Sequence, residues 1–433
     1  MVRRPLGPRP LAAREPVPLP DDATRFLLVV PEQHARFAAV ELSRDFVEEE
    51  VLDGGYGLCT YVFAWDPERE PIRSLSRYLG AYGDLRMRPD LTTVTPIEDG
   101  VYAIVCDVEW PDGEPVRAAP RQVLTDELHA LEELGFVPSV GIEHEVTFLD
   151  GEEPLTGHGV DYAVGGTERL RPLLADLRTK LAPLAVESAR AECHPGQYEI
   201  VLRHRDALAA CDDAMLQQLI IRDTAAEHGV TASYLAAPEA GQGNSCHVHL
   251  SLSPPAPEAF LAGVLREARA LTAIWAPTWN SYVRLRTAPF SPRSVRWGTD
   301  DRTAAVRLVG HGATGTRNSC DGNAQLARRE RATRAGRRAE FRFAGADAQP
   351  HLVVAALLAA GRAGIEDGLT LPPEGEEVAT LCITPWEALA ALEECKVLGA
   401  ELLEQQTALL RAEIDAGCDA VTDWQRRRGA LRA

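Results

Sequence analysis

Four stretches of the chain place carboxylates, imidazoles or guanidiniums where an ordinary strand would place valine. Ser245–Leu252 reads S-C-H-V-H-L-S-L, with His247 and His249 two positions apart. Side chains alternate faces along a strand, so both imidazoles point the same way. V-G-I-E-H-E-V-T-F-L (140–149) puts Glu143 and Glu145 on one face by the same rule. A-E-C-H-P-G-Q-Y-E-I (191–200) carries Glu192 and Glu199 around a Pro-Gly interruption, and R-R-A-E-F-R-F (337–343) carries Arg338, Glu340 and Arg342 at alternate positions. A buried carboxylate is costly unless it is paired or bound to a metal. Glu143, Glu145, Glu192, Glu199, Glu340 and His247 would compensate one another by holding divalent cations. An oxygen-rich set with few nitrogens suits Mg2+ or Mn2+ better than Zn2+.

The arginines extend the same chemistry. Fourteen lie between Arg284 and Arg342, against five acids, in a chain whose net charge is −19. Their planar fork matches phosphate and carboxylate oxygens. Cations beside arginine-bound phosphate point to phosphoryl transfer from a nucleotide. Lys180 and Lys396 are the chain's only lysines, and no Gly-x-x-x-x-Gly-Lys-[Ser/Thr] occurs, so a Walker loop is excluded.

Each signal has a plain alternative when taken singly. H-x-H pairs are common in packing, E-x-E on a strand often marks a solvated face, and an arginine island can be a salt-bridged surface. The loop Gly310–Gly315, G-H-G-A-T-G, fits G-x-G-x-x-G, but no apolar helical face follows it, so a Rossmann site is not expected. A metallohydrolase of the H-x-H type needs further histidines at strand ends, and only His311 and His351 follow. The coincidence of several segments carries the reading.

These segments must be positioned by an α+β chain. Apolar runs RFLLVV, YVFAW and GVYAIVCDVEW alternate with turns over 25–118 and predict a small strand-rich domain with a helix near 35–50. Residues 1–24 read as a mobile Pro/Arg-rich tail without the apolar core of a signal peptide. From 119 to 433 strands and helices alternate in a larger catalytic domain. PEAFLAGVLREARALTAIW is expected as one helix, AECHPGQYEIVLR as one strand, and HLVVAALLAAGRAGIEDG as a helix closed by Gly368. Nine scattered cysteines without C-x-x-C suit reduced thiols in a cytoplasm. No run of 18 apolar residues predicts a membrane span, and the acidic balance argues against nucleic-acid partners.

Taken in order, the segments resemble the glutamine synthetase family. G-I-E-H-E-V-T-F-L and P-G-Q-Y-E-I look like its metal-binding strands. G-Q-G-N-S-C-H-V-H-L-S-L (241–252) is similar to N-G-x-G-M-H-x-H-x-S-L. A-P-T-W-N-S-Y-V-R-L (276–285), W-G-T-D-D-R-T-A-A-V-R-L (297–308) and R-R-A-E-F-R-F resemble its later arginine motifs. The resemblance implies a β-grasp-like N-terminal domain, then a catalytic domain with a curved antiparallel sheet and flanking helices. It also implies a homo-oligomer, a dodecamer of stacked hexamers with sites between subunits. ATP and two or three Mg2+ or Mn2+ ions would bind. Glu145, Glu192 and Glu199 would hold one ion, and Glu143, His247 and Glu340 another. Arg284 and Arg342 would grip substrate carboxylate and phosphoryl oxygens, and Gln242 and Gly243 would contact the amino acid. His249, Ser251, Arg302, Arg307 and Arg338 would surround ATP, with Arg302 and Arg342 catalytic.

The sequence departs from ammonia-using members at the amine pocket. They carry a glutamate six residues after the position of Arg284; here that residue is Phe290. The loop G-G-Y-G-L-C-T-Y (54–61) lacks their ammonium-binding aspartate, while Asp84 matches a second acid and is the candidate proton acceptor. The expectation is an ATP-dependent ligase joining glutamate to an organic amine through γ-glutamyl phosphate, with a mono-amine favoured by Phe290, Trp279 and Tyr56. An ammonia-using synthetase and a non-catalytic ring are the alternatives.

Overall fold

The computed structural model describes residues 17–80, 82–163, 169–309 and 338–432. Residues 1–16 of the expected tail and the loop Gly310–Gly315 lie outside them. The first sheet comprises β1 (Arg25–Pro31), β2 (Phe37–Ser43), β3 (Tyr56–Cys59), β4 (Asp84–Pro89), β5 (Thr95–Glu98) and β6 (Val101–Glu109). Its order is β2-β1-β6-β4-β3, with β5 also on β6, and β1 and β6 run parallel. Both faces of this central pair are covered, which accounts for its continuous apolar runs. Phe26, Leu28, Val30 and Ile104 pack within the first unit. Val29, Ala103 and Val105 pack outward, against Val146, Phe148 and Tyr198 of the second sheet.

The structure redraws several local expectations. Residues 17–24 are not a free tail: Ala23 is buried, and Thr24 N donates to Gly100 O at 2.8 Å. The helix near 35–50 is a strand to Ser43, whose side chain caps a helical segment over 44–54. YVFAW begins as a tight helical turn at Thr60–Phe63. The expected 257–275 helix breaks into Glu258–Glu267 and Thr272–Trp275.

The second sheet contains β7 (Val137–Asp150), β8 (Glu153–Pro154), β9 (Val186–Ala191), β10 (Gln197–Leu202), β11 (Arg205–Asp206), β12 (Thr231–Ser233) and β13 (Cys246–Ser253). After β14 (Ser294–Val295), which pairs with β18 (Ala379–Thr380), come β15 (Trp297–Thr299), β16 (Val306–Val309) and β17 (Arg338–Phe341). The order is β15-β16-β17-β13-β7-β10-β9, with β8, β11 and β12 also on β7. AECHPGQYEIVLR is thus a hairpin rather than one strand, turned at Gly196 with φ of 69°. Val140, Ile142, Val248, Leu250 and Phe341 form an apolar face against helices. The Pro350–Glu366 helix in that layer is apolar on every side from Leu352 to Gly361, where it is fully buried; Gly368, φ 62°, follows its end.

Arg121, at the start of the Pro120–Glu133 helix, joins the two units. It is buried, meets both oxygens of Asp212 at 3.2 Å, and also bonds Asp107 on β6 and Asp90. His351 Nε2 lies 2.9 Å from Asp212 Oδ1. Burial raises the Asp212 carboxyl, but Arg121 and His351 outweigh it and hold it at about 2. The Ala400–Asp419 helix returns to the first unit: Gln405 Nε2 donates to Phe63 O at 2.9 Å, and Glu401 bonds Arg77 and Tyr78.

Candidate active site

Strand register assembles the site on the face of the second sheet opposite its apolar layer. β13 places His247 opposite Glu143, and β10 places Glu199 opposite Glu145. β17 sets Glu340 opposite His249, β16 sets Arg307 opposite Glu340, and β9 sets Arg190 opposite Glu199. Residues as far apart in sequence as His247 and Glu143 thereby become neighbours about 5 Å apart.

Glu143, His247 and Glu340 converge, with one ligand atom from each lying within 4.8 Å of the others. His247 Nδ1 is 3.9 Å from Glu143 Oε2 and 3.7 Å from Glu340 Oε1. Those separations are too long for hydrogen bonds and fit three donors arranged around a shared cation. Burial, then the charges of Arg342 and Arg284, push His247 well below the ordinary value, so its ring is the neutral, ligating form. Burial raises Glu143, but proximity to His249 together with the charges of Arg190 and Arg338 outweighs this, and the carboxyl ends below its usual value.

Glu145, Glu192 and Glu199 form a second acidic group. Burial and then the Glu192 charge push Glu145 up to about 7. Burial and then Glu143 push Glu199 up to about 8. Such shifts mean that the ionised carboxylates are costly here, first through burial and then through neighbouring acids, a cost that a divalent cation would relieve. Glu199 Oε1 is also buried without an aligned hydrogen-bond donor. This trio does not converge as the first does. Arg190 lies between its members, donating from Nε to Glu192 Oε1 at 2.6 Å and from Nη2 to Glu199 Oε2 at 3.2 Å.

Glu145 is held by groups the sequence reading left without a role. Ser245 N and Gln197 Nε2 donate to its Oε2 at 2.7 and 3.1 Å. Gln197 also donates to Gly243 O and to Asn244 Oδ1. A Cβ at position 243 would lie 2.9 Å from Ala288 Cβ and 3.3 Å from Arg284 Cγ, so only glycine fits without displacement.

Two glutamate oxygens anchor two arginines. Arg342 bonds Glu340 Oε1, and Arg307 Nη1 donates to Glu340 Oε2 at 3.0 Å while also bonding Asp300. Arg338 Nε donates to His249 Nδ1 at 2.9 Å. Nδ1 is therefore an acceptor, and the ring proton belongs on Nε2, 2.8 Å from Glu143 Oε1 but out of line for a well-formed bond.

The family described as glutamine synthetase, catalytic domain, matches residues 117–429. The chain belongs to the glutamine synthetase family. It is an ATP-dependent carbon–nitrogen ligase of that type, and the family's chemistry uses divalent metal ions. The γ-glutamylethanolamide synthetase of Streptomyces coelicolor is 34% identical, over 95% of this chain and 93% of its own. A glutamate–isopropylamine ligase of a Pseudomonas species is 30% identical, over 75% of this chain and 74% of its own. A crystal structure of a glutamine synthase homolog superposes with a TM-score of 0.78 at 25% identity, covering 95% of this chain and 99% of the other. Among the described residues, no helix is long and apolar enough to cross a membrane.

Within this glutamine synthetase-family chain, other expected site residues have less open placements. Arg284 is buried, its guanidinium turned to the carbonyls of Phe343 and Arg342 at 2.9 and 3.4 Å, and burial lowers it to about 10. In this conformation it braces the end of β17 rather than presenting a free fork. Gln242 Nε2 donates to Glu239 Oε2 at 2.9 Å. Gly241 N donates to Thr287 Oγ1 at 3.0 Å, which joins the Gln242–Gly243 loop to the segment carrying Phe290. Phe290 is 60% exposed. Arg302 is exposed in the turn between β15 and β16, and Ser251 follows His249 on the same face of β13. Trp279 packs against Gly417 and Trp386, so it forms a joint with the Ala400–Asp419 helix. Tyr56 packs edge-on against Phe46. Asp84 is exposed on the first sheet opposite Cys59, on a different sheet from the carboxylates.

Proposed function

We propose that the protein condenses glutamate with a small organic mono-amine, using ATP, to give a γ-glutamyl amide. The observation that carries this reading is an assembled acid–histidine–arginine face beside an amine-side segment whose matching position is an exposed phenylalanine instead of a carboxylate. An ammonium ion needs anionic or acceptor groups around it; an alkyl amine can also bury its carbon against a ring. One relative is named for the γ-glutamyl ethanolamide it makes and another for the isopropylamine it joins to glutamate, and both names point to small mono-amines.

Glu143, His247 and Glu340 would hold one cation and Glu145, Glu192 and Glu199 another; the hard-oxygen donor set fits Mg2+ or Mn2+. When bound, two or three such ions would neutralise the triphosphate and the phosphoryl group in transfer. Arg342 and Arg302 would meet the equatorial oxygens of that group as the glutamate γ-carboxylate attacks and ADP leaves. Arg307, Arg338, His249 and Ser251 would line the nucleotide, with Gln242, Gly243 and Arg284 around the glutamate backbone. Attack of the neutral amine on γ-glutamyl phosphate would form the amide and expel phosphate, the amine proton passing to a base. Asp84 is our candidate for that base, reached from a neighbouring subunit of a dodecameric ring, since within one chain it lies on the other sheet. We place the enzyme in the cytoplasm, where ATP is available and unpaired thiols persist.

The test is ATP-dependent phosphate release with glutamate and a panel of amines. Full turnover with ammonia alone would refute the reading. Tight binding of methionine sulfoximine in the presence of ATP would support glutamate as the acyl substrate.

A further inference from the structure

The loop that carries Gln242 and Gly243 also carries a carboxylate, that of Glu239. Gln242 N donates to Glu239 O at 3.0 Å and Gln242 Nε2 donates to Glu239 Oε2 at 2.9 Å, so backbone and side chain close the same turn. Asn280, in the first turn of the Trp279–Thr287 helix, fixes the start of this loop. Its Oδ1 accepts from Ala237 N at 2.8 Å and its Nδ2 donates to Ala237 O at 2.9 Å. Gly241 N, donating to Thr287 Oγ1, fixes the other side to the end of the same helix, three residues before Phe290. The loop that would hold glutamate and the segment that bears Phe290 are therefore joined along one edge.

Within residues 235–243 and 284–293, Glu239 is the single acid. The three arginines of those segments are turned to carbonyls: Arg284 to Phe343 and Arg342, Arg286 to Ile383, and Arg293 to Leu285. Glu239 is exposed. Among the described residues no cation pairs with it, and Gln242 Nε2 is the one donor on its carboxylate. An unpaired carboxylate on the edge that bears an exposed ring suits an alkylammonium, whose charged head needs an anion and whose carbon needs apolar surface.

We propose that Glu239 is a specificity-determining residue for the amine, its Oε1 receiving the protonated amine head while Phe290 covers the carbon. The carboxylate missing at position 290 is thus replaced from the adjoining loop. Glu239 binds the charge and takes no proton; deprotonation of the amine falls to the separate base. Because Glu239 also holds Gln242, the turn that presents one substrate to the site receives the other. This rests on the amine-ligase reading above.

Steady-state amide formation by the full-length enzyme, with ATP and Mg2+ saturating, tests it. Glu239→Gln keeps an acceptor for Gln242 Nε2 and removes the charge. It should raise KM for the amine that the wild type prefers by about tenfold or more, with kcat and the KM for glutamate little changed. Hydroxylamine, a nucleophile that is uncharged at neutral pH, should react as well with Glu239→Gln as with the wild type, which also reports an intact fold. Glu239→Ala releases Gln242 as well and should raise the KM for glutamate too. An amine KM that is unchanged in Glu239→Gln, or one that rises equally for hydroxylamine, overturns the inference alone. A wild type that joins no organic amine to glutamate overturns the amine-ligase reading itself, before any variant is made.

Discussion

The buried carboxylates make a definite prediction about the metal-free protein. Glu145 stands at about 7 and Glu199 at about 8, against an ordinary 4.5. A carboxyl raised by folding contributes stability that is complete below 4.5 and is lost as pH climbs through its folded value. Two buried histidines act in the opposite sense. Burial holds His144 at about 3 and His247 well below 6.5, so each adds stability as pH rises to 6.5 and nothing beyond. From 4.5 to 6.5 the two pairs offset one another. Above 6.5 the glutamates act alone, Glu145 over about half a pH unit and Glu199 over about one and a half, which at about 1.4 kcal/mol per unit is a loss of about 3 kcal/mol by pH 8. A cation among these carboxylates favours their ionised forms and removes the slope. Denaturant unfolding at pH 6.5 and pH 8, in EDTA and in saturating Mg2+, measures both arms. A flat profile in EDTA, or an equal fall in Mg2+, would refute the reasoning.

Three substitutions probe other parts of the structure. Glu340→Gln leaves Arg307 and Arg342 without their shared carboxylate; it should cost about 3–5 kcal/mol in unfolding experiments and weaken Mn2+ binding at the Glu143–His247–Glu340 group in titrations. Phe290→Glu supplies an acid where ammonia-using members have one, and should raise ammonia-driven phosphate release about tenfold or more relative to the best organic amine. Arg121→Met leaves the buried Asp212 carboxylate with His351 but without its guanidinium, for a loss of about 3–5 kcal/mol that adding Asp212→Asn should partly recover, since the cost is a buried charge that has lost its counter-ion; additive losses in the double variant would contradict the network.

Local alternation was readable in the residues themselves. Glu143 with Glu145, His247 with His249, and Arg338 with Glu340 and Arg342 share faces because period two needs no knowledge of neighbours. Cross-strand pairing was not readable in that way. Only the order β17-β13-β7-β10-β9 shows that His247 belongs with Glu143 and that Arg190 belongs with Glu199. Arg190 was missed for a local reason: taking 191–203 as one strand hid the hairpin, although Pro195-Gly196 is a turn signal. Gln197 lies inside a quoted motif, but its value is in three acceptors contributed by β7 and the 243–244 loop, which no linear pattern displays. Of the helix expected near 35–50, only the part from Arg44 onward is helical; F-A-A-V-E-L-S instead alternates as an edge strand paired with β1, so pairing overrides a sequence that is also compatible with helix.

The Ala400–Asp419 helix closes the polypeptide back onto its beginning, and that restricts how this scaffold can be recombined. Exchanging the N-terminal unit between ligases by splicing at residue 118 would sever Gln405 from Phe63 and Glu401 from Arg77 and Tyr78. A chimera that carries both terminal portions together keeps that clasp, and is the graft that should yield a folded hybrid.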